Sequence, residues 1–215
     1  PPLSPNLADQ TESYNGTSWS EVNEINTARR GMAGLGLYNA AISATGWTTG
    51  QVTNVESWDG TNWTEVNEVN QARQGAGASG TQTAGLIFGG YKTPAPNATN
   101  AVESWNGSSW TETTEINTAR NGGSGFGTQT SAILAGGANA PSLVLVESWN
   151  GSSWTEVSEI NTGRQDLSAG GADNTSGIVF AGKTAPGTFQ AVTEAWDGSS
   201  WTELADLATA RSFSF

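Results

Sequence analysis

The 215-residue chain carries 20 acidic against eight basic residues, a formal charge of −12, with no histidine and no cysteine. Without imidazole or thiol, the usual soft-metal sites, thiol redox chemistry and a histidine general base are excluded, and the negative charge opposes nucleic acid and anionic membranes. No apolar run approaches the roughly 18 residues of a membrane-spanning helix, so no membrane insertion is expected.

No charged-then-apolar leader opens the chain at Pro1, which reads as a processed start or as the start of a piece of something longer. The first recognisable unit runs from Glu12 to Arg29 (12–29) and returns without insertion at 56–73, 103–120, 147–164 and 194–211, each approximating E-S-W-N-G-S-S-W-T-E-V-x-E-I-N-T-A-R. The second tryptophan of each block falls at Trp19, Trp63, Trp110, Trp154 and Trp201, giving spacings of 44, 47, 44 and 47. A period in this range indicates a solenoid or a propeller, and one continuous repeat reads as one domain, 1–215.

Inside each block an Asn-Gly or Asp-Gly pair (Asn15-Gly16, Asp59-Gly60, Asn106-Gly107, Asn150-Gly151, Asp197-Gly198) lies among β-forming residues. Such pairs tolerate the positive φ of tight turns, which predicts a hairpin, two strands per unit. After the block arginine comes a glycine-rich stretch, as in residues 74–80, and a strand made of it suits a place where backbones crowd together. Next come short β-branched runs stopped by glycine at 86–90, 133–137 and 178–182, which read as buried strands. Four strands in about 45 residues make a propeller blade.

The order of double glycine (Gly89-Gly90, Gly136-Gly137), aromatic (Trp105, Trp149), tryptophan five residues on (Trp110, Trp154) and arginine (Arg120, Arg164) resembles the kelch repeat over essentially the whole chain. Thr45-Gly46 and Ala181-Gly182 depart from the double glycine. The resemblance implies an all-β, kelch-like propeller, and the count of blocks predicts five blades. The apolar run occurs only four times, so the last blade is expected to close between a C-terminal inner strand and the N-terminal hairpin, short by one strand. The alternative is a fragment of a longer array.

Trp58, Trp105, Trp149 and Trp196, with Tyr14 in the fifth slot, join the five second tryptophans as core packing between blades. Glu12, Glu56, Glu103, Glu147 and Glu194 recur 17 residues before Arg29, Arg73, Arg120, Arg164 and Arg211, a pattern suited to charge-assisted bonds tying strands or blades. Paired acids such as Glu65 with Glu68 and Glu156 with Glu159 lack the dense Asp/Asn/Gly pattern of a calcium loop and read as a solvated rim, so no metal or cofactor is expected.

Length varies almost only between the glycine closing the apolar strand and the next block glutamate, where 9, 12, 9 and 11 residues intervene. These loops should share a face with the crossovers between blades, opposite the Asn-Gly turns, and loops on a rigid scaffold collect binding residues. They begin with Trp47, Tyr91, Ala138 and Lys183; Trp47 is the one tryptophan outside the blocks, and Lys92 and Lys183 are the only lysines. Trp47, Tyr91, Lys92 and Lys183 are therefore the candidate ligand-binding residues. The expected function is non-enzymatic recognition or adhesion toward a glycan or protein surface, outside a cell or on a virion. A structural part of a larger assembly is the alternative. A glycoside hydrolase would need two carboxylates about 5–10 Å apart, and only Asp9, Asp166 and Asp173 stand outside the repeated positions.

Overall fold

A computed structural model describes residues 7–94, 97–139, 142–185 and 187–212. Its first hairpin is β1 (Thr11–Tyr14) and β2 (Trp19–Val22). Four antiparallel sheets follow: β3 (Ala33–Leu37), β4 (Ala40–Ala44), β5 (Val55–Trp58) and β6 (Trp63–Val66); β7 (Gly77–Thr81), β8 (Ala84–Phe88), β9 (Val102–Trp105) and β10 (Trp110–Thr113); β11 (Ser124–Gly127), β12 (Ala132–Ala135), β13 (Val146–Trp149) and β14 (Trp154–Val157); and β15 (Ser168–Asp173), β16 (Ser176–Phe180), β19 (Thr193–Trp196) and β20 (Trp201–Glu203). Between β16 and β19 a small hairpin, β17 (Lys183–Thr184) with β18 (Thr188–Phe189), decorates the loop.

The first strands β3, β7, β11 and β15 lie side by side in that order and line the openings at both ends of an axial channel. The described residues are thus all-β in a β-propeller arrangement. They make four blades rather than the predicted five. The fifth unit contributes β1 and β2, the outer half of a blade, so among the described residues it lacks two strands rather than one. Its expected closure by a C-terminal inner strand falls on residues 213–215, outside the described residues.

Glycine permits the crowding at the axis. A Cβ on Gly125 would press into the ring edge of Phe88 and lie 2.7 Å from the Ala78 carbonyl oxygen in the neighbouring blade. The second strands carry apolar side chains toward both adjacent blades, and Ala132–Ala135 is buried throughout. Where the chain leaves these strands, Gly89 and Gly136 adopt φ of 64° and 63°; Thr45 and Ala181 hold the same left-handed conformation at 65° and 60°. The two departures from double glycine therefore keep its geometry, despite the cost for a residue with a Cβ.

Tryptophans seal the blades. Trp58 stacks on Trp63, Trp105 on Trp110, Trp149 on Trp154 and Trp196 on Trp201, with ring centroids 5.1–5.3 Å apart. Each first indole N–H donates to a carbonyl in its own blade's inner turn, as Trp105 Nε1 does to Gln82 O at 2.8 Å. The Gln82 amide in turn donates to Trp58 O in the preceding blade, and Gln129 and Asn174 repeat that clamp on Trp105 O and Trp149 O. Trp19 is the exception, 65% exposed.

The repeated charges form buried pairs between units. Arg29 pairs with Glu56, Arg73 with Glu103 (3.0 Å), Arg120 with Glu147 (2.6 Å) and Arg164 with Glu194 (2.7 Å), every side chain fully inaccessible. Each glutamate also accepts at least one backbone N–H from the crossover that carries its arginine; Glu147 accepts those of Asn117 (2.7 Å) and Thr118 (3.3 Å), and Glu194 that of Asn161 (2.7 Å). Burial lowers the guanidinium pKa of Arg73, Arg120 and Arg164, and the facing glutamates oppose that shift. Glu12 and Arg211, the fifth set, make no such pair among the described residues.

On the hairpin rim the turn residue caps its own turn. Asn150 Oδ1 accepts the N–H groups of Ser152 and Ser153 at 3.0 Å, and Asp197 Oδ1 those of Ser199 and Ser200 at 2.8 Å. Bonds from the Ser199 hydroxyl and from these N–H groups bring the Asp197 pKa down to about 2, and N–H donors of Asn62 and Thr61 lower that of Asp59. A carboxylate whose folded pKa is depressed stabilises the fold above its unfolded pKa, and this is lost as pH falls through the folded value. The Asp197→Asn variant should therefore lose less stability than the parent between about pH 4 and pH 2, read as urea midpoints across that window. An unchanged acid slope would mean that the turn carboxylate does not couple to folding.

Candidate functional site

The variable loops open on the predicted face. Trp47 bridges to Arg30, Tyr91 to Gln74, Ala138 to Asn121 and Lys183 to Gln165, the same position in four successive blades. The second partner in each case immediately follows a block arginine, so loop starts and crossovers interleave around the axis. Among the described residues three backbone bonds join the crossovers: Gly75 N–H to Gly31 O (2.9 Å), Gly122 N–H to Gly75 O (2.9 Å) and Asp166 N–H to Gly122 O (2.7 Å).

Trp47 and Tyr91 belong to neighbouring blades, and their loops are joined by Thr93 Oγ1 donating to Gln51 Oε1 at 2.8 Å. Both aromatic residues are half-buried, as is Lys92. The Arg30 guanidinium lies 6.0 Å from the centre of the Trp47 ring, at the outer limit of a cation–π contact. Lys183 stands apart in the fourth blade, and it is not a free cation: its Nζ lies 2.6 Å from Asp166 Oδ2. The structure thus brings Trp47, Tyr91 and Lys92 onto adjoining loops and leaves Lys183 on a separate sector of the same face.

Arg30 and Asp166 complete this face, and sequence reasoning did not assign either to it. Arg30 is the one arginine outside the five block positions, which was the available signal. Asp166 occupies the crossover position held by Gly31, Gly75 and Gly122, and adopts their left-handed conformation with φ 53°. It is buried, and it turns the glycine position of one blade into an anchor for Lys183.

The carboxylates considered for hydrolysis are not neighbours. Asp166 precedes β15 and Asp173 ends it; seven residues of extended chain separate them by about 20 Å, beyond the spacing of a glycosidase pair. Asp173 instead accepts the Thr175 N–H and hydroxyl in the inner turn, which lowers its pKa. Asp9 lies before β1, where its carboxylate accepts from Gln10. Among the described residues no group of three or more acidic side chains is arranged to hold a metal ion. No protein-family model matches the chain, and a comparison with curated proteins gives no match.

Proposed function

We propose that the chain is a non-enzymatic recognition module of kelch-like propeller type, displayed outside a cell or on a virion, that binds a glycan or protein surface through the variable-loop face. The observation that carries this reading is the joined pair of loops bearing Trp47 and Tyr91, with Arg30 and Lys92 beside them. Half-buried aromatic rings offer flat apolar area at little conformational cost, and adjacent cationic and amide groups supply direction. Such a surface suits the stacked faces of sugar rings or an aromatic-tolerant protein epitope. It sits on loops whose length varies while the blades beneath remain constant.

A Trp47→Ala, Tyr91→Ala double variant should keep its circular dichroism and urea midpoint within about 0.5 kcal/mol of the parent, as expected for surface changes. Its binding on a glycan array and to host-surface extracts should fall by tenfold or more, about 1.4 kcal/mol. Equal binding by parent and variant would remove this face from consideration. Participation in a larger assembly is a second reading, favoured by β1, which among the described residues pairs with β2 alone.

A further inference from the structure

We infer that the ligand of the loop face is an acidic glycan, one whose sugar rings carry carboxylate or sulfate groups, received by Arg30 and Lys92 while the rings stack on Trp47 and Tyr91. This rests on the loop-face reading above and narrows it. The distribution of charge carries it. The variable loops 47–55, 91–102, 138–146 and 183–193 contain no acidic residue, in a chain that has 20. The three cations outside the block arginines, Arg30, Lys92 and Lys183, all stand on these loops or on a crossover that bridges to one. The Asp166 carboxylate on this face is already matched by Lys183 at 2.6 Å.

What is left over is positive. Arg29, Arg73, Arg120, Arg164 and Lys183 are held in ion pairs, whereas among the described residues Arg30 and Lys92 make none, and neither does Arg211 in the fifth block. The net charge repels an anion from afar, but at about 0.15 M salt such fields fade beyond about 8 Å, so the groups at the face decide. Glu68 and Glu115 meet these loops at their other ends, accepting from Thr53 Oγ1 and Asn100 Nδ2, both at 2.6 Å. The acids thus lie where the loops enter β5 and β9, and the cations where the loops begin beside the crossovers.

The two unpaired cations bracket one continuous strip. Arg30 bridges to Trp47, with its guanidinium 6.0 Å from the ring centre, and Trp47 bridges to Gln51. Gln51 Oε1 accepts from Thr93, the chain neighbour of Lys92. A planar guanidinium presents paired N–H donors that match the oxygens of a carboxylate or sulfate, and the flat ring beside it suits the apolar face of a sugar. Gln51 Nε2 has no acceptor among the described residues, which adds an amide donor at the junction of the two loops. Thr48, Thr49, Thr93 and Asn97 supply hydroxyl and amide groups for sugar hydroxyls. Both loops lack Leu, Ile, Met and Phe, so they offer little area for the desolvated core of a protein interface, and a glycan is favoured over an acidic protein surface.

The test is calorimetric titration of the intact chain with three oligosaccharides of equal length: one of uronic acid units, its carboxyl-reduced neutral counterpart, and a sulfated form of that counterpart. At least one acidic form should bind about tenfold or more tighter than the neutral one, and whichever does names the anionic group. Arg30→Gln and Lys92→Gln, with circular dichroism unchanged, should each cut affinity for that acidic form about tenfold and leave the neutral form as before. Arg211→Gln removes the same charge from the fifth block and should change neither affinity by more than about twofold. Equal binding of acidic and neutral forms, lost together in the Trp47→Ala, Tyr91→Ala variant, would overturn the acidic ligand and leave the loop face standing. An acidic preference that survives in both Arg30→Gln and Lys92→Gln would overturn it too. So would absence of saturable binding of all three, and the glycan array and host-surface extracts then judge the loop face separately.

Discussion

Replacing Arg120 by methionine is expected to destabilise the protein by about 3–5 kcal/mol, the cost of stripping one partner from a buried ion pair. The guanidinium donates to Glu147 Oε1 at 2.6 Å, and neither side chain is reached by solvent. Once it is gone, the Glu147 carboxylate keeps only the N–H groups of Asn117 and Thr118. Set against a total stability of about 5–15 kcal/mol for a domain, this loss should be plain as a fall in urea midpoint. The double variant Arg120→Met, Glu147→Leu should recover part of it, because the uncompensated charge is removed. Recovery stays incomplete, since the two N–H groups then lie buried without acceptors at about 1–3 kcal/mol each. The repeat provides its own control: Arg211→Met, at an exposed arginine, should change stability by less than about 0.5 kcal/mol. Similar losses at Arg120 and Arg211 would show that the pairs do not hold the blades.

The hairpins were legible because Asn-Gly and Asp-Gly permit few alternatives, and each appears as a tight turn, with Trp opposite Trp across the strands in four of them and Tyr14 opposite Trp19 in the first. The partnering of charges was not. Glutamate and arginine recur 17 residues apart within a block, yet Arg29 reaches Glu56 in the next unit. The pairing follows from the crossover passing under the third strand of the following blade, a tertiary fact that spacing along the chain does not contain. The same limit explains the fifth blade. Five blocks predict five blades, but a block encodes only the outer two strands and the crossover, so counting blocks overcounts complete sheets by one.

For the loop face, comparing repeats against each other located the positions, because Trp47, Tyr91, Ala138 and Lys183 depart from one another where the blades agree. It did not disclose their neighbours. The ion pair of Lys183 was not legible because its partner Asp166 sits in a crossover, at a place where three other units have glycine. A left-handed aspartate that is also buried and ion-paired is the kind of local exception that accompanies a specialised position. It separates the fourth blade's sector from the aromatic sector formed by the first two.

Gly125→Ala should cost about 3 kcal/mol, at the upper end for overpacking, although it adds a single methyl group. The added carbon would meet two obstacles of different kinds. One is the Phe88 ring, a side chain that can yield; the other is Ala78 O, 2.7 Å away on the backbone of β7, which cannot move without separating two blades. A second substitution, Phe88→Leu, should therefore not rescue Gly125→Ala. Gly34 stands at the same place in β3, has no positive φ, and among the described residues its Cβ would meet nothing within 4 Å. Gly34→Ala should be neutral, or stabilising by about 0.4–1 kcal/mol through the stiffer unfolded chain. Urea titrations of the two single variants compare one chemical change at a crowded and at an uncrowded glycine, and equal losses would show that the contacts at Gly125 do not set the cost.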